Sequence, residues 1–231
     1  MTDPPGDIAG RVAAVRARMA AAAGRVGREP SGVRLLPVSK TRPAPVVAEA
    51  ARASGLTRFA ENRPQELAAK AADLADHGLT WSLIGPLQTN KAVLAARFAD
   101  EFQALDSLRV AEALDRRLQA VGRGMDVLVE VNTSGEATKH GVAPAEALRL
   151  AGALGACSSL RPVGLMTVAV NSADEQAVRA CFRELVRIQA RLRDVGIDWP
   201  ELSMGMSGDF EWAIEEGSTI VRIGSAIFGP R

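Results

Sequence analysis

The chain has 231 residues, 47% of them hydrophobic and 24% charged, ordinary values for one globular domain with a buried core. Lysine plus arginine (28) nearly cancels aspartate plus glutamate (27), which gives no reason to expect nucleic-acid binding, since that needs a concentrated basic face. Two cysteines, Cys157 and Cys181, lie in apolar helical surroundings with no close-spaced pair, as expected of free buried thiols in a reducing compartment.

The opening stretch MTDPPGDIAGRVAAVRARMAAAAGR is alanine-rich, but Arg11, Arg16 and Arg18 interrupt it. It holds no apolar core long enough for a signal peptide or a membrane span. Cytoplasmic residence is the default expectation, and the amphipathic, arginine-bearing character leaves organelle targeting open. Ile8, Val12, Val15 and Met19 recur at helical spacing and predict an N-terminal helix. After REPSG at 28–32, short apolar runs alternate with amphipathic helices. The predicted strands are 34–38, 57–60, 80–84, 101–105, 126–131, 162–166, 201–203 and 219–223. Asn62 followed by Gln65, and Ser172 followed by Glu175, resemble capping boxes that start helices. Leu108, Ala111, Leu114, Leu118 and Val121 form one apolar stripe; Val178, Cys181, Leu185, Ile188 and Leu192 form another. Each stripe needs a sheet to cover. Eight strands alternating with helices predict a single α/β domain over 1–231, a (β/α)8 TIM-type barrel with an additional N-terminal helix. An open doubly wound sheet is the alternative.

In such a barrel, ligand groups belong at the carboxyl ends of the strands. Lys40 directly follows the first run, Glu61 and Asn62 the second, and GPLQTN at 85–90 the third. NTSGE at 132–136 follows the fifth, SMGMS at 203–207 the seventh, and Arg222 to Ser225 close the eighth. Only four of the 28 basic residues are lysines, at 40, 70, 91 and 139, so lysine is not the default cation here. An arginine at 40 would attract an anion but could not condense with an aldehyde, whereas a partly shielded amine can. Schiff-base chemistry, a salt bridge to Glu61 or a phosphate, and an ordinary surface role all remain open for Lys40. Gly205 and Gly224 would let backbone amides approach a phosphate, with Ser207 and Ser225 as hydroxyl donors, where barrels often bind one; the glycines could instead serve only tight turns. Arg222 is a charge inside the apolar run TIVRI and needs a buried acceptor. It either faces a ligand or forms a salt bridge inside the barrel. His77 and His140 are too isolated to make a metal site, and Asp209 with Glu211 reads as helix surface.

Together these segments identify a family. LLPVSK at 35–40, ENRPQE at 61–66, IGPLQTNK at 84–91, VNTSGEATKHG at 131–141, GLMTV at 164–168, LSMGMSGDFEWAI at 202–214 and VRIGSAIFG at 221–229 closely resemble the pyridoxal phosphate homeostasis proteins, the YggS or PROSC family. The resemblance implies a fold-type III pyridoxal 5'-phosphate barrel like the N-terminal domain of alanine racemase. It implies that Lys40 carries the cofactor as a Schiff base, with Asn62 and Ile84 around it. It also implies that Ser203, Gly205, Met206, Ser207, Gly224 and Ser225 surround the phosphate and that Arg222 stands near the pyridine ring. The implied function is intracellular cofactor homeostasis without robust catalysis. Apo forms of enzymes that use the cofactor are the candidate partners, neither nucleic acid nor membrane is expected, and the chain is expected as a monomer or weak homodimer. A racemase or lyase of narrow activity is the alternative. The 231 residues contain no tyrosine for a racemase-type acid/base, and a second domain of the racemase kind is not expected beside this barrel. Two departures concern the rim: Arg63 and Ser82 stand where the family usually has a tyrosine and a histidine.

Overall fold

The computed structural model describes residues 8–230, and in it each of the eight apolar runs becomes a strand. They are β1 Arg34–Pro37, β2 Arg58–Glu61, β3 Thr80–Leu83, β4 Glu101–Leu105, β5 Met125–Glu130, β6 Leu160–Met166, β7 Glu201–Ser203 and β8 Ile220–Ile223. Of the domain expected over 1–231, residues 1–7 and 231 lie outside the described part. All the strand pairs are parallel, in the order β1-β8-β7-β6-β5-β4-β3-β2. The remaining seam, between β1 and β2, is closed by a bridge from Val38 to Ala60, with Ser39 N–H donating to Ala60 O at 3.0 Å. The sheet thus curls into a barrel, and its strands read as near-continuous apolar runs because helices cover the outer face.

The helices are α1 Ile8–Arg25, α2 Ala44–Ser54, α3 Pro64–Asp73, α4 Ala92–Phe98, α5 Leu108–Ala120, α6 Ala147–Ala153, α7 Glu175–Asp194, α8 Phe210–Glu215 and α9 Ser225–Phe228. The stripe on α7 is buried along its whole length. On α5, Ala111, Leu114 and Leu118 are buried, but Leu108 and Val121 at its two ends are exposed, so that stripe is shorter than its periodicity suggests. The α1 helix buries Ile8, Val12, Val15 and Met19. Its outer arginines tie it to α8 and α9: Arg18 pairs with Glu211, Arg25 with Glu215, and Arg11 Nε donates to Ile227 O at 2.6 Å. Both cysteines are buried and free. No described helix is long and apolar enough to cross a membrane.

Two helix starts differ from the capping boxes read in the sequence. Asp174 caps α7, its carboxylate accepting from Gln176 N at 2.9 Å and Ala177 N at 3.4 Å. Ser172 instead accepts from Asp174 N in the turn before the helix. The N-cap of α3 is Arg63, with Pro64 at the first helical position and no side-chain cap, so Asn62 does not serve there.

Candidate functional site

The strand ends converge on a cavity of about 300 Å3, lined by Lys40, Arg42, Ile84, Arg222, Ser207 and Ser225 among others. Met206 and Gly224 belong to the same wall. Seven of the ten residues singled out from the sequence are therefore brought together: Lys40, Ile84, Met206, Ser207, Arg222, Gly224 and Ser225. Asn62, Ser203 and Gly205 are not among its lining residues.

Lys40 follows β1 in a tight turn, and the turn is held from both sides. Buried Lys70 on α3 donates to Ser39 O at 2.8 Å, Glu61 Oε1 at 2.7 Å and Glu66 Oε1 at 2.8 Å. Ser39 Oγ also donates to Glu61 Oε1, at 2.6 Å, and Thr41 N–H donates to Glu66 Oε1 at 2.6 Å. Thr41 has φ 67°, a left-handed conformation that a β-branched residue adopts only when its surroundings impose it. Burial raises the Glu61 carboxyl above its ordinary range despite Lys70 and Ser39. For Glu66 burial acts in the same sense, but Lys70 and Thr41 outweigh it and hold the group low. Glu61 is ion-paired with Lys70.

The opposite wall comes from the loops after β7 and β8. Gly205 has φ 95°, and a side chain there would meet Ala213 Cβ at 2.6 Å and Phe210 Cα at 2.9 Å. This glycine therefore seats the loop on α8 and is not part of the cavity lining. Met206 N–H donates to Asp209 Oδ1 at 2.6 Å, which makes Asp209 a half-buried loop brace and corrects its reading as helix surface. Ser207 Oγ accepts from Ala226 N at 3.4 Å and joins the two loops. Arg42 crosses from the first wall to donate to Gly229 O at 2.7 Å and Pro230 O at 2.6 Å. Asn62 is clamped by the third strand's loop: a Cβ on Gly85 would stand 2.2 Å from Asn62 O.

Arg222 forms the base. It is 4% exposed, with Nη1 donating to Ser203 Oγ at 2.7 Å and Nη2 to Thr167 O at 2.7 Å. Ser203 is therefore a support for Arg222 beneath the cavity. Burial lowers the guanidinium to about 10, against the attraction of Glu130 and Asp209, so it stays charged at neutral pH. Glu130, the last residue of β5, is pushed up to about 7 by burial, which outweighs the pull of Arg222. Three cationic side chains, Lys40, Arg42 and Arg222, line the cavity, so it suits a small anionic ligand.

Sequence reasoning missed Arg42, Lys70, Thr167 and Glu130. Glu130 carried a readable signal, a carboxylate closing the apolar run DVLVEV; Lys70 in AAKAAD reads as helix surface. The rim departures resolve differently from each other. Arg63 is exposed, whereas Ser82 lies inside the barrel and donates to Glu101 Oε1 at 2.9 Å, so residue 82 is not a rim position. His77 and His140 are exposed, and His140 borders a separate cavity with Asp106 and Arg109.

The family model described as "alanine racemase, N-terminal domain" matches residues 11–231. The pyridoxal phosphate homeostasis protein of Pseudomonas aeruginosa is 43% identical over 97% of this chain and 96% of its own. A crystal structure of an unknown protein from Bifidobacterium adolescentis superposes with a TM-score of 0.91 at 39% identity, covering 99% of this chain and 98% of that one. PipY of Synechococcus elongatus with PLP bound superposes with a TM-score of 0.84 at 34% identity, covering 96% and 100%.

Proposed function

The chain belongs to the pyridoxal phosphate homeostasis (YggS/PROSC) family, and from that premise we propose that it holds pyridoxal 5'-phosphate in the mouth cavity, covalently through Lys40, as a carrier rather than a catalyst. The observation that carries this reading is the meeting of Lys40, Arg222 and the Ser207 and Ser225 loops around one cavity. The donor set fits the group: an amine for the aldehyde, serine and glycine loops for the phosphate, and a guanidinium for the ring nitrogen. Bound there, pyridoxal 5'-phosphate supplies an aldehyde electrophile and an electron-withdrawing ring. Lys40 would hold the group through its amine, the side chain able to bond an aldehyde, and the strained turn at Thr41 keeps that amine at the cavity wall. Arg222 retains its proton, so toward a pyridine nitrogen it would act as a hydrogen-bond donor and disfavour protonation of that nitrogen.

Two features favour a carrier over a racemase or lyase. A cavity of about 300 Å3 is at the small end for ligand sites and leaves little room for a second reactant. Among the described residues, its lining also holds no carboxylate, imidazole or thiol that would exchange a substrate proton opposite Lys40. Titration of the protein with pyridoxal 5'-phosphate should raise a visible Schiff-base band that Lys40→Ala abolishes. An equal band in the variant, or none in the wild type, overturns the covalent reading. Chiral analysis after incubation with L-amino acids tests the carrier reading. Turnover well above free cofactor, and lost in Lys40→Ala, would overturn it.

A further inference from the structure

Four of the buried polar side chains, Arg222, Ser203, Gln103 and Glu101, form a continuous hydrogen-bonded chain through the barrel. Arg222 Nη1 donates to Ser203 Oγ at 2.7 Å, Ser203 Oγ donates to Gln103 Oε1 at 2.7 Å, and Gln103 Nε2 donates to Glu101 Oε1 at 2.5 Å. Glu101 Oε1 also takes the Ser82 hydroxyl, while Oε2 takes Arg34 at 2.6 Å and Arg58 at 3.1 Å. Gln103 and Ser203 are fully buried and Glu101 is 2% exposed. Because β4 and β7 are not neighbours in the sheet, the Gln103–Ser203 bond crosses the barrel interior. This hydrogen-bonded chain runs from the base of the mouth cavity to the opposite end of the barrel. There Arg34, Arg58 and Glu101 line a second cavity of about 650 Å3.

The chemistry of the end members fixes the direction of every link. An arginine only donates, and an ionised carboxylate only accepts. Burial alone would raise the Glu101 carboxyl, but Arg34, Gln103 and Arg58 outweigh it and hold the group below its ordinary range. Gln103 must therefore turn its nitrogen to Glu101 and its oxygen to Ser203. The single proton of Ser203 goes to that oxygen, which leaves the hydroxyl lone pairs for Arg222. Reversing any one link sets donor against donor or acceptor against acceptor, and links of uniform direction polarise one another.

We propose that Glu101, Gln103 and Ser203 are positioning residues for Arg222, a one-way hydrogen-bond relay anchored on the floor carboxylate that orients the guanidinium under the mouth cavity. What Arg222 then does to a cofactor rests on the function proposed above; the relay belongs to the protein alone. An amide at position 101 would remove the anchor. It can donate to Gln103 Oε1, which frees Gln103 to flip and to donate to Ser203, and the serine proton is then left facing Arg222, which cannot accept it.

The test is made first on the cofactor-free full chain labelled with 15N-arginine, with the Arg222 side-chain signals identified by their loss in Arg222→Lys. Glu101→Gln and Gln103→Met should shift those signals in the same direction, toward a weaker hydrogen bond, while exposed arginines such as Arg161 and Arg193 stay in place. Gln103→Met conserves size and leaves the Arg34–Glu101–Arg58 cluster intact, so it decides the question if Glu101→Gln does not fold. Unmoved Arg222 signals in Gln103→Met, or a shift in Glu101→Gln alone, would overturn the relay; the second result would assign the effect to the floor ion pairs. This readout stands whether or not Lys40 binds the cofactor. With 15N-labelled pyridoxal 5'-phosphate added, both variants should move the ring-nitrogen signal toward its protonated position yet keep the visible band from Lys40. A ring-nitrogen signal unchanged from wild type in both variants would also overturn the proposal.

Discussion

At the scale of single residues, Glu130 carries a distinct pH signature. Its folded value of about 7 lies above the ordinary 4.5 because burial disfavours the carboxylate more than Arg222 favours it, with Asp106 adding repulsion. The protonated form therefore stabilises the fold, fully below about pH 4.5, and that contribution fades as pH rises through about 7. Linkage puts it at ~3 kcal/mol. Glu130→Gln should leave thermal stability nearly unchanged at about pH 4 and raise the melting temperature relative to wild type at about pH 8. A gain that does not vary with pH would show that the group does not titrate in this window. Arg222, by contrast, stays charged throughout it.

At the scale of elements, α3 does more than cover the barrel, since through Lys70 it holds the turn that presents Lys40. Glu61 is fully buried and Lys70 is 5% exposed, so removal of the amine leaves a carboxylate without its ion partner in the interior. Lys70→Ala should lower unfolding stability by about 3–5 kcal/mol in urea titrations and weaken retention of pyridoxal 5'-phosphate. A loss below about 1 kcal/mol, the range of an exposed pair, would show that the cluster does not brace the turn. Lys40 was legible because an amine at a strand end stands out in an arginine-rich chain. Lys70 was not, because its importance depends on Ser39 and Glu61, brought to it by two different strands. Local signals also misplaced the caps. The Ser172 hydroxyl serves the preceding turn, and Asn62 is held under Gly85 rather than at a helix start.

At the scale of the whole molecule, the alternation of apolar runs and helices was enough to read the barrel, with strand limits within two residues of those observed. Parallel strands covered on both faces are nearly uniform in hydrophobicity, so their number and order are visible in one dimension. The pairings across the closed interior are not. Gln103 and Ser203 meet from non-neighbouring strands only once the barrel closes, and Ser82 turns its hydroxyl inward to Glu101 on the adjacent strand, a direction that one dimension does not show. The mouth cavity, its cations and its braced lysine lead to one central claim, a covalent bond from Lys40 to the cofactor. Borohydride reduction of the full chain after incubation with pyridoxal 5'-phosphate, followed by intact mass and peptide mapping, tests it most directly. One cofactor per chain, fixed on Lys40 with Lys70, Lys91 and Lys139 unlabelled, is the predicted result. Label on another lysine in place of Lys40, or an unmodified chain, would contradict it.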